Sequence, residues 1–579
     1  MKKIFLVPTF ICFSLLFFLP SSSLAFNRLS PDEANQLIAS NPEAVVVDVR
    51  SNIDYCYYGH IPCALNLVWE SEFTEKYTSL PTDVPIITVC QHGIRGAQAA
   101  AFLDQHGYTL VNNISGGMVA WIDDGFSKIT CSDENPNNCP TFKSILYFPH
   151  IACRDGWETD IAVINRDSMK SLKGSFRAYD AEGNMVGEPI PLDLARSGRK
   201  ELTVGETFSE SKDICYIVLT ASSNQIYSYL KFYDSENFLY RAAIPTARAI
   251  NRNEISISHI AIGDGWWTGL ALLNTNSEKR NLLFTFRTYD EDGNIEKTIR
   301  KSLKLLAGAY QSINLADFID DEDELDPTSL NSAVISNADG VIGLEIFGNQ
   351  IQLAGISLCD TTATTIYYPY IVNDAHWWTG LVVFNPALDL GGFTIMAYDT
   401  EGHLLDTNPP SDNTERNGLG PISFLPIDPY ERIVGTNGRF GLPPESAWMV
   451  IKSSIPLTGF ELFGTTDGLQ LAGYTCTAIE GTSGILPKLE KNGWTGIAMV
   501  NTIATPTIVT LKAYTDTGGQ PVATINIPLK GHQRLVDTPE NLFTEELGDA
   551  TYITYQANAP VVAFQLNGSG AMLDALSGH

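Results

Sequence analysis

Residues 27–128 alternate between short continuous apolar runs and amphipathic segments, which is the pattern of a parallel α/β sheet. Residues 45–47 are all apolar and Ile86–Val89 is apolar except for Thr88, as expected for strands that are buried on both faces. Ser30 can cap a helix whose first turn contains Glu33, the pair that forms a capping box. The pattern therefore predicts an α/β domain over this range.

The pattern changes after this domain to short stretches of alternating residues separated by glycine-containing turns. A strand-like segment that starts at tryptophan and ends at asparagine recurs, and its asparagines lie 109, 111 and 116 residues apart. They are Asn165, Asn274, Asn385 and Asn501. A period of about 110 residues with many short strands favours β-sandwich modules in tandem. A single four-bladed propeller is the alternative, but each unit is more than twice the usual length of a blade.

We therefore predict a multidomain chain, an α/β domain followed by four tandem all-β sandwich modules. The predicted segments are a signal peptide at 1–25, the α/β domain at 27–128, a polar linker at 129–143, and modules at 144–252, 253–364, 365–482 and 483–579.

Residues 1–25 carry one long apolar run behind two lysines. The run covers residues 4–19 and is followed by small residues that end at Ala25, the arrangement of a cleavable signal peptide. A membrane anchor is the alternative, but the run ends at Pro20 and is short for a bilayer crossing. We predict an exported mature chain, periplasmic or extracellular, with no membrane span.

Composition narrows the class of protein. The chain is 44% hydrophobic and 18% charged, which excludes wholesale disorder. It carries 37 Lys and Arg against 66 Asp and Glu, a net charge of −29. Binding to a phosphate backbone needs a basic face, so we predict no nucleic-acid partner.

One cysteine lies where a predicted strand ends and a helix begins. Cys90 follows Ile86–Val89 directly, at the edge of the sheet where parallel sheets bind ligands. The free N–H groups and the dipole of the next helix favour a thiolate and an anionic substrate. Gly93 and Gly96 let the backbone fold around the sulfur, and Arg95 adds positive charge. A buried structural cysteine is the alternative.

Four motifs in residues 27–128 resemble the rhodanese-like family. They are Asp48-Val49-Arg50 for its Asp-x-Arg segment, residues 59–64 for its Gly-His-Ile-Pro-Gly-Ala signature with Cys63 in the place of a glycine, residues 90–95 for its Cys-x-x-Gly-x-Arg active loop, and Gly116-Gly117 with Trp121 for its closing segment. The resemblance covers under a fifth of the chain. It implies a sulfurtransferase that moves a sulfane sulfur through a cysteine persulfide, without a cofactor or a metal.

The resemblance also implies roles for individual residues. Cys90 is the nucleophile, and Arg95 orients the donor or the loop. The substrate-binding loop consists of Gln91, His92, Gly93, Ile94 and Gly96. Structural support comes from Asp48, Arg50 and His60. The related phosphatases have a loop that is one residue longer, and their chemistry is the alternative.

Two features depart from the family pattern. Gly96 stands where the family often has Ser or Thr, which removes a hydroxyl donor. Cys56 and Cys63 add thiols that could form a disulfide with each other, or one of them could resolve an oxidised Cys90 and make the domain a redox relay. Spacing alone cannot decide between these alternatives.

The other cysteines allow further pairings in an exported chain. The candidates are Cys131 with Cys139 and Cys153 with Cys215, whereas Cys359 and Cys476 are expected to be free buried thiols. Six of the nine tryptophans lie in the repeated segment. We interpret them as core anchors of the sandwiches, with ligand platforms, for example for sugars, as the alternative.

The acidic turn at residues 290–294 is interpreted as a plain turn rather than a calcium loop, and the acidic stretch 317–324 as a solvated loop.

Two functions from different classes follow. The first is an exported sulfurtransferase that takes sulfur from a small sulfur-containing anion such as thiosulfate and gives it to a thiol or to cyanide. The second is a surface or periplasmic binding protein, in which the β modules bind a polysaccharide or a protein and the rhodanese-like domain is a sensing or inactive module.

Overall fold

The structure is a computed structural model that consists of two compact units, Met1–Thr141 and Phe142–His579. It describes residues 26–578 except 41–43, 63, 70, 78–79, 81–83, 109, 131–143, 249–251, 277, 290–294, 320–325, 359–361, 408–422 and 476–479. The predicted signal peptide, the linker cysteines, Cys63, Cys359, Cys476 and the acidic turn at 290–294 lie outside the described residues. The same is true of most of the acidic stretch 317–324.

The first unit is a five-stranded parallel sheet with helices, as predicted. Its strands are β1 (Asn27–Leu29), β2 (Val45–Asp48), β3 (Leu65–Asn66), β4 (Ile86–Val89) and β5 (Val111–Ile114). Its helices are α1 (Pro31–Ser40), α2 (Asn52–Tyr58), α3 (Phe73–Lys76), α4 (Ile94–Gln105) and α5 (Gly117–Asp123). The strand order β1-β5-β4-β2-β3 puts β4 in the centre, where all four of its residues are buried. Because this central strand is buried, it holds the loop that follows it in a fixed position.

The predicted start of the first helix is confirmed. The backbone N–H of Ser30 donates to the Glu33 carboxylate at 2.8 Å, and the N–H of Glu33 donates to Ser30 Oγ at 3.3 Å. These two hydrogen bonds satisfy N–H groups that an isolated helix start leaves without partners.

The second unit is built from antiparallel strands, as the alternation of its residues predicts. The first two groups of strands, which we name module 1 (144–245) and module 2 (254–357), have the same order. Module 1 contains β6 (Ser144–Phe148), β7 (Trp157–Asn165), β8 (Leu172–Tyr179), β9 (Met185–Leu194), β10 (Arg199–Thr203), α6 (Val204–Thr207), β11 (Tyr216–Ala221), β12 (Ile226–Asp234) and β13 (Arg241–Pro245). Module 2 contains β14 (Glu254–Ile257), β15 (Trp267–Asn274), β16 (Arg280–Tyr289), β17 (Ile295–Leu305), β18 (Tyr310–Asn314), α7 (Leu315–Phe318), β19 (Ser332–Ser336), β20 (Val341–Gly348) and β21 (Leu353–Ser357).

Module 3 (363–475) and module 4 (481–577) follow in the same unit. Module 3 contains β22 (Ala363–Tyr368), β23 (Trp377–Phe384), β24 (Gly391–Tyr398), β25 (Leu404–Leu405), β26 (Ser423–Ile427), β27 (Arg432–Gly435), β28 (Trp448–Thr465) and β29 (Leu471–Thr475). Module 4 contains β30 (Gly481–Leu486), β31 (Trp494–Asn501), β32 (Thr507–Tyr514), β33 (Ala523–Leu529), β34 (Arg534–Asp537), α8 (Pro539–Leu542), β35 (Tyr552–Ser569) and β36 (Met572–Ser577). The domain boundaries given above stay predictions.

Each of the first two modules has two four-stranded sheets. In module 1 the strand orders are β6-β11-β8-β9 and β10-β7-β12-β13, and module 2 repeats both orders. In modules 3 and 4 one 18-residue strand, β28 or β35, takes the place of two shorter strands and pairs in both halves. The repeat in the sequence thus corresponds to a repeat in topology.

The repeated asparagines close the same loop in every module. All four are buried, and each side-chain amide donates to a backbone carbonyl four or five residues further along, at 2.8 or 2.9 Å. The acceptors are Lys170, Glu278, Asp389 and Thr505. The asparagine recurs because each of these loops needs a donor for its buried carbonyls.

Four of the six repeated tryptophans lie at contacts between modules, which corrects for these four the interpretation as anchors within each sandwich. Trp266 and Trp378 pack against an apolar cluster formed by Phe347 of module 2 and Phe460 of module 3. Trp377 meets Trp494 of module 4 edge to face, with ring centroids 6.1 Å apart. Trp157 differs, because its ring contacts Phe232 and Tyr240 of its own module, as the interpretation as an anchor expects.

The last strands of the four modules pack against one another. β13 packs against β21 and β36, and β29 packs against the same two strands. Small residues permit this approach, since a Cβ added at Gly355 would lie 2.9 Å from the side chain of Ile244. Module 4 therefore contacts module 1, a closure that the tandem prediction did not include. No helix among the described residues is long and apolar enough to span a membrane.

Candidate active site

Cys90 lies at the carboxyl end of the central strand, as predicted. It is a free thiol and is 2% exposed, and helix α4 begins within the same loop, at Ile94. The N-cap of that helix is Gly93, which has a left-handed φ of 86°. The sulfur therefore sits beside a helix start, whose N–H groups favour negative charge.

A second glycine loop supports the first. Helix α5 begins next to the loop, and the N–H groups of Met118 and Val119 donate to the carbonyls of Cys90 (2.8 Å) and Gln91 (3.1 Å). Gly117 has a φ of 63°, and a Cβ there would lie 2.1 Å from the carbonyl oxygen of Cys90. Only glycine fits this position, because the conformation and the space both exclude a side chain.

Asp48 and Arg50 form a buried ion pair that reaches the loop. Their side chains are 0% and 1% exposed, and Arg50 Nη2 lies 2.6 Å from Asp48 Oδ2. Arg50 Nη1 donates to Gln91 Oε1 at 3.2 Å, and Nη2 donates to the carbonyl of Gly59 at 2.8 Å. A bidentate ion pair has a well-defined geometry, so Arg50 holds the Gln91 side chain in a fixed position.

His60 lies in the fold as a packing residue. It is buried, its ring stacks on Tyr55 with centroids 3.6 Å apart, and its Nδ1 lies 3.0 Å from the Tyr55 carbonyl. Its backbone pairs with Ile129 in both directions. These contacts hold the turn after α2.

The outer side of the loop is open. His92 and Arg95 are exposed, and Ile94 is 72% exposed. The structure thus brings Cys90, Gln91 and the two glycines together, while the two basic side chains face solvent. Arg95 is exposed in the first turn of α4.

Asn113 is a site residue that the sequence did not indicate. It is buried on β5, its amide donates to the Gly93 carbonyl at 3.4 Å, and a Cβ added at Gly96 would lie 2.3 Å from its Oδ1. The glycine that departs from the family pattern therefore makes room for an asparagine side chain from the neighbouring strand. The signal was a polar residue in a buried strand, which needs a partner.

The thiol pairings differ in their outcome. Cys56 is in a disulfide, whereas Cys90, Cys153 and Cys215 are free. The suggested bridge between Cys153 and Cys215 is therefore absent from the structure. In this state Cys56 is not available to resolve an oxidised Cys90.

The comparison with known proteins agrees with this geometry. A family model described as a rhodanese-like domain matches residues 30–124. A sulfurtransferase from Allochromatium vinosum is 31% identical over 99 residues, which are 17% of this chain and 91% of that protein. The thiosulfate sulfurtransferase GlpE from Pseudomonas entomophila is 38% identical over 96 residues, 17% of this chain and 84% of that protein. A solved rhodanese-related protein from Thermoplasma volcanium is 28% identical and covers 18% of this chain and 98% of its own, with a TM-score of 0.17.

The family match lies within the first unit, and it includes the loop that carries Cys90 and the strand that carries Asp48. Relatives of at least 30% identity are matched over most of their own length. Through residues 30–124, the chain belongs to the rhodanese-like family.

Proposed function

We propose that the chain is an exported sulfurtransferase that carries sulfane sulfur on Cys90. The observation that supports this most strongly is a free cysteine at the carboxyl end of a central strand, beside the start of a helix. The named activity of the GlpE relative, thiosulfate sulfurtransfer, points to the same chemistry. Export is supported by the sequence of residues 1–25 and by the disulfide at Cys56, a state typical of oxidising compartments.

The reaction has two steps. The Cys90 thiolate attacks the outer sulfur of thiosulfate, the sulfur–sulfur bond breaks, and sulfite leaves with the bonding electron pair. Cys90 is then a persulfide, whose terminal sulfur is anionic beside the helix start. Cyanide attacks that sulfur, thiocyanate leaves, and the Cys90 thiolate returns. A thiol acceptor would receive the sulfur in the same way.

The residues around the loop divide this work. Gly93 and Gly117 allow two backbone segments to approach the cysteine, and Arg50 holds Gln91 in place. The cysteine is buried at the base of the loop, which favours a small donor. Arg95, which is exposed in the first turn of α4, attracts the anion as it arrives.

The test is thiocyanate formation from thiosulfate and cyanide by the purified chain. Cys90→Ser should lower the rate by more than about a thousandfold, because the nucleophile is removed. Cys215→Ser, in the second unit, is the matched control and should retain the full rate. Mass spectrometry after thiosulfate treatment should find one added sulfur on Cys90. Equal rates for Cys90→Ser and the unaltered chain would refute the proposal.

A further inference from the structure

A cavity of about 450 Å³ lies between modules 1 and 2, apart from the cysteine loop. Its walls are mainly apolar, and five of the lining side chains are aromatic. They are His150, Trp157 and Phe232 from module 1 and Trp267 and Tyr310 from module 2. A cavity of this size and lining is in the range of small-molecule sites.

The cavity coincides with a change in one repeated position. In each module one strand pairs with the strand that leads to the buried asparagine. The first residue of that pairing strand lies opposite the residue just before the asparagine. The pairing strands are β10, β18, β27 and β34. These first residues are Arg199, Tyr310, Arg432 and Arg534. Three modules thus place an arginine at this position, and module 2 places a tyrosine.

At two other interfaces the arginine reaches into the preceding module and is held there by a carbonyl. Arg432 Nη1 donates to the carbonyl of Asn331 at 2.8 Å, and Arg534 Nη1 donates to the corresponding carbonyl of Ala447. The Arg534 guanidinium also lies 4.9 Å from the ring centre of Tyr370. A guanidinium therefore has backbone acceptors and, in one case, an aromatic face at this place in the fold.

Module 4 and module 1 meet in a related way. Arg199 Nε donates to the carbonyl of Pro487 at 3.2 Å, and Nη1 lies 3.1 Å from Asp516 Oδ1. The arginine is 4% exposed. All three arginines thus place a cation between two modules.

The interface between modules 1 and 2 keeps the acceptor, but it has Tyr310 in place of the repeated arginine. The carbonyls of Asn331 and Ala447, which hold the arginines, also accept a backbone N–H from an earlier segment of their own module. In module 1 the carbonyl that accepts the corresponding N–H is that of Cys215. Cys215 lines the cavity. Tyr310 instead lies 2.7 Å through its hydroxyl from His150 Nδ1, so it leaves the space that an arginine would fill.

The charges around the cavity favour a cation. An adjoining depression shares Arg154, Cys215 and Tyr310 with the cavity and adds Asp180, Glu182 and Asp213. The cavity itself adds Asp155. One arginine therefore faces four carboxylates, and the Nε of that arginine donates to the Lys212 carbonyl.

Two titratable side chains in the cavity wall, His150 and Cys153, carry no charge near neutral pH. Burial lowers the pKa of His150 to about 4, so its imidazole is neutral at pH 7. Burial also raises the pKa of Cys153 to about 12, which keeps that thiol protonated. Neither of these two groups offsets the negative rim, and Arg154 offsets one of its four carboxylates.

We propose that this cavity binds a small organic cation, with its guanidinium or ammonium group in the place that arginine takes at the other interfaces and its apolar body against the aromatic walls. The aromatic faces and the acidic rim both attract such a group. A carboxylate ligand would meet the acidic rim, and a neutral ligand would lack the interaction that the repeat provides.

The test is calorimetric binding to the full chain of three probes that share one apolar body. They are phenethylguanidinium, the neutral phenethylurea and the anionic 3-phenylpropionate. The guanidinium should bind at least about tenfold more tightly than the other two. Tyr310→Arg should weaken its binding by at least about tenfold, because the new side chain fills the site as in the other modules.

Two further variants keep the test decisive if Tyr310→Arg does not fold. Ser312→Trp, at an exposed position on the rim, should block entry and lower affinity at least about tenfold. The double variant Glu182→Gln with Asp213→Asn should weaken the cation by several-fold, whereas Glu401→Gln, in the corresponding turn of module 3, should not. Equal affinity for the three probes, preference for the anion, no binding, or binding unchanged in Ser312→Trp would each overturn the proposal.

Discussion

The two units of this chain use buried charge in different ways. In the first unit the ion pair of Asp48 and Arg50 points to one loop, and the remaining donors of the arginine hold Gln91 and the turn at Gly59. In the second unit buried charges lie between modules. Arg241 of module 1 pairs with both Glu490 and Asp574 of module 4.

The difference shows that the role of a buried ion pair depends on which groups accept the remaining N–H donors of its arginine. Both pairs are costly to bury and are held by several hydrogen bonds. The pair in the first unit ends at a loop with a nucleophile, so it positions a reactive group. The pair in the second unit ends at a neighbouring module, where Arg241 Nη2 donates to the Asn567 carbonyl at 2.7 Å, so it joins the two ends of the array.

The largest expected effect separates these two roles. Arg50→Met and Arg241→Met should each cost about 3–5 kcal/mol of unfolding free energy in their own unit, because each leaves a buried carboxylate without its cation. Only Arg50→Met should also abolish thiocyanate formation, while Arg241→Met should keep the rate within about twofold. Denaturation followed by circular dichroism, together with the rate assay, checks both. Loss of sulfur transfer in Arg241→Met would contradict the division of roles.

The second prediction concerns pH and the second unit. Burial depresses the pKa of His150 from 6.5 to about 4, so the unfolded chain takes up a proton at this residue before the folded chain does. Stability is therefore unaffected above pH 6.5 and falls as the pH drops from 6.5 to 4, by about 3 kcal/mol for this residue. His150→Gln removes the titration. Its unfolding free energy, compared with that of the unaltered chain at pH 7 and pH 4, should decrease less; an equal decrease would contradict the prediction.

The third prediction concerns the glycine that departs from the family pattern. Gly96→Ser should destabilise the first unit by about 1–3 kcal/mol, because its Cβ would collide with Asn113 Oδ1. Asn113→Ala removes that oxygen, so the double variant should recover part of the loss. Thermal unfolding of the three variants measures this coupling. A stable Gly96→Ser with faster sulfur transfer would instead indicate that the loop lacks a hydroxyl donor.

The smallest effect is expected at the first helix. Ser30→Ala should cost about 1 kcal/mol, because it removes the cap that accepts the Glu33 N–H. Sulfur transfer should remain unchanged, since α1 has no residue in the loop. The same two assays apply, and a change in rate without a change in stability would place α1 closer to the chemistry than the structure does.

Much of the first unit follows from the sequence. The largely apolar segment Ile86–Val89 predicted a buried strand, and the glycines after it predicted a loop around Cys90. The sequence missed Asn113, because the strand that carries it is brought beside the loop by the strand order alone. It also missed the hydrogen bond between Arg50 and Gln91, whose positions along the chain are 41 residues apart.

In the second unit the sequence showed the repeat but not which contacts the repeated residues make. The period of the asparagines predicted repeating modules, and each asparagine proves to close a loop within its own module. The tryptophans have the same period, yet four of them pack between modules, whereas Trp157 packs within its own. Periodicity reports that a position matters in every copy, and it does not report whether the contact is inside the copy or across to the next.

The sequence alone determined the local features of this protein: the strand before Cys90, the cap at Ser30, the positions of the turns and the four repeats. These depend on residues close together in the chain, whose periodicity and conformational preferences act directly on the backbone. Only the tertiary structure decided which distant groups meet. Pairing across strands and modules set the approach of Asn113 to Gly96, the contact of module 4 with module 1, and the cavity beside Tyr310.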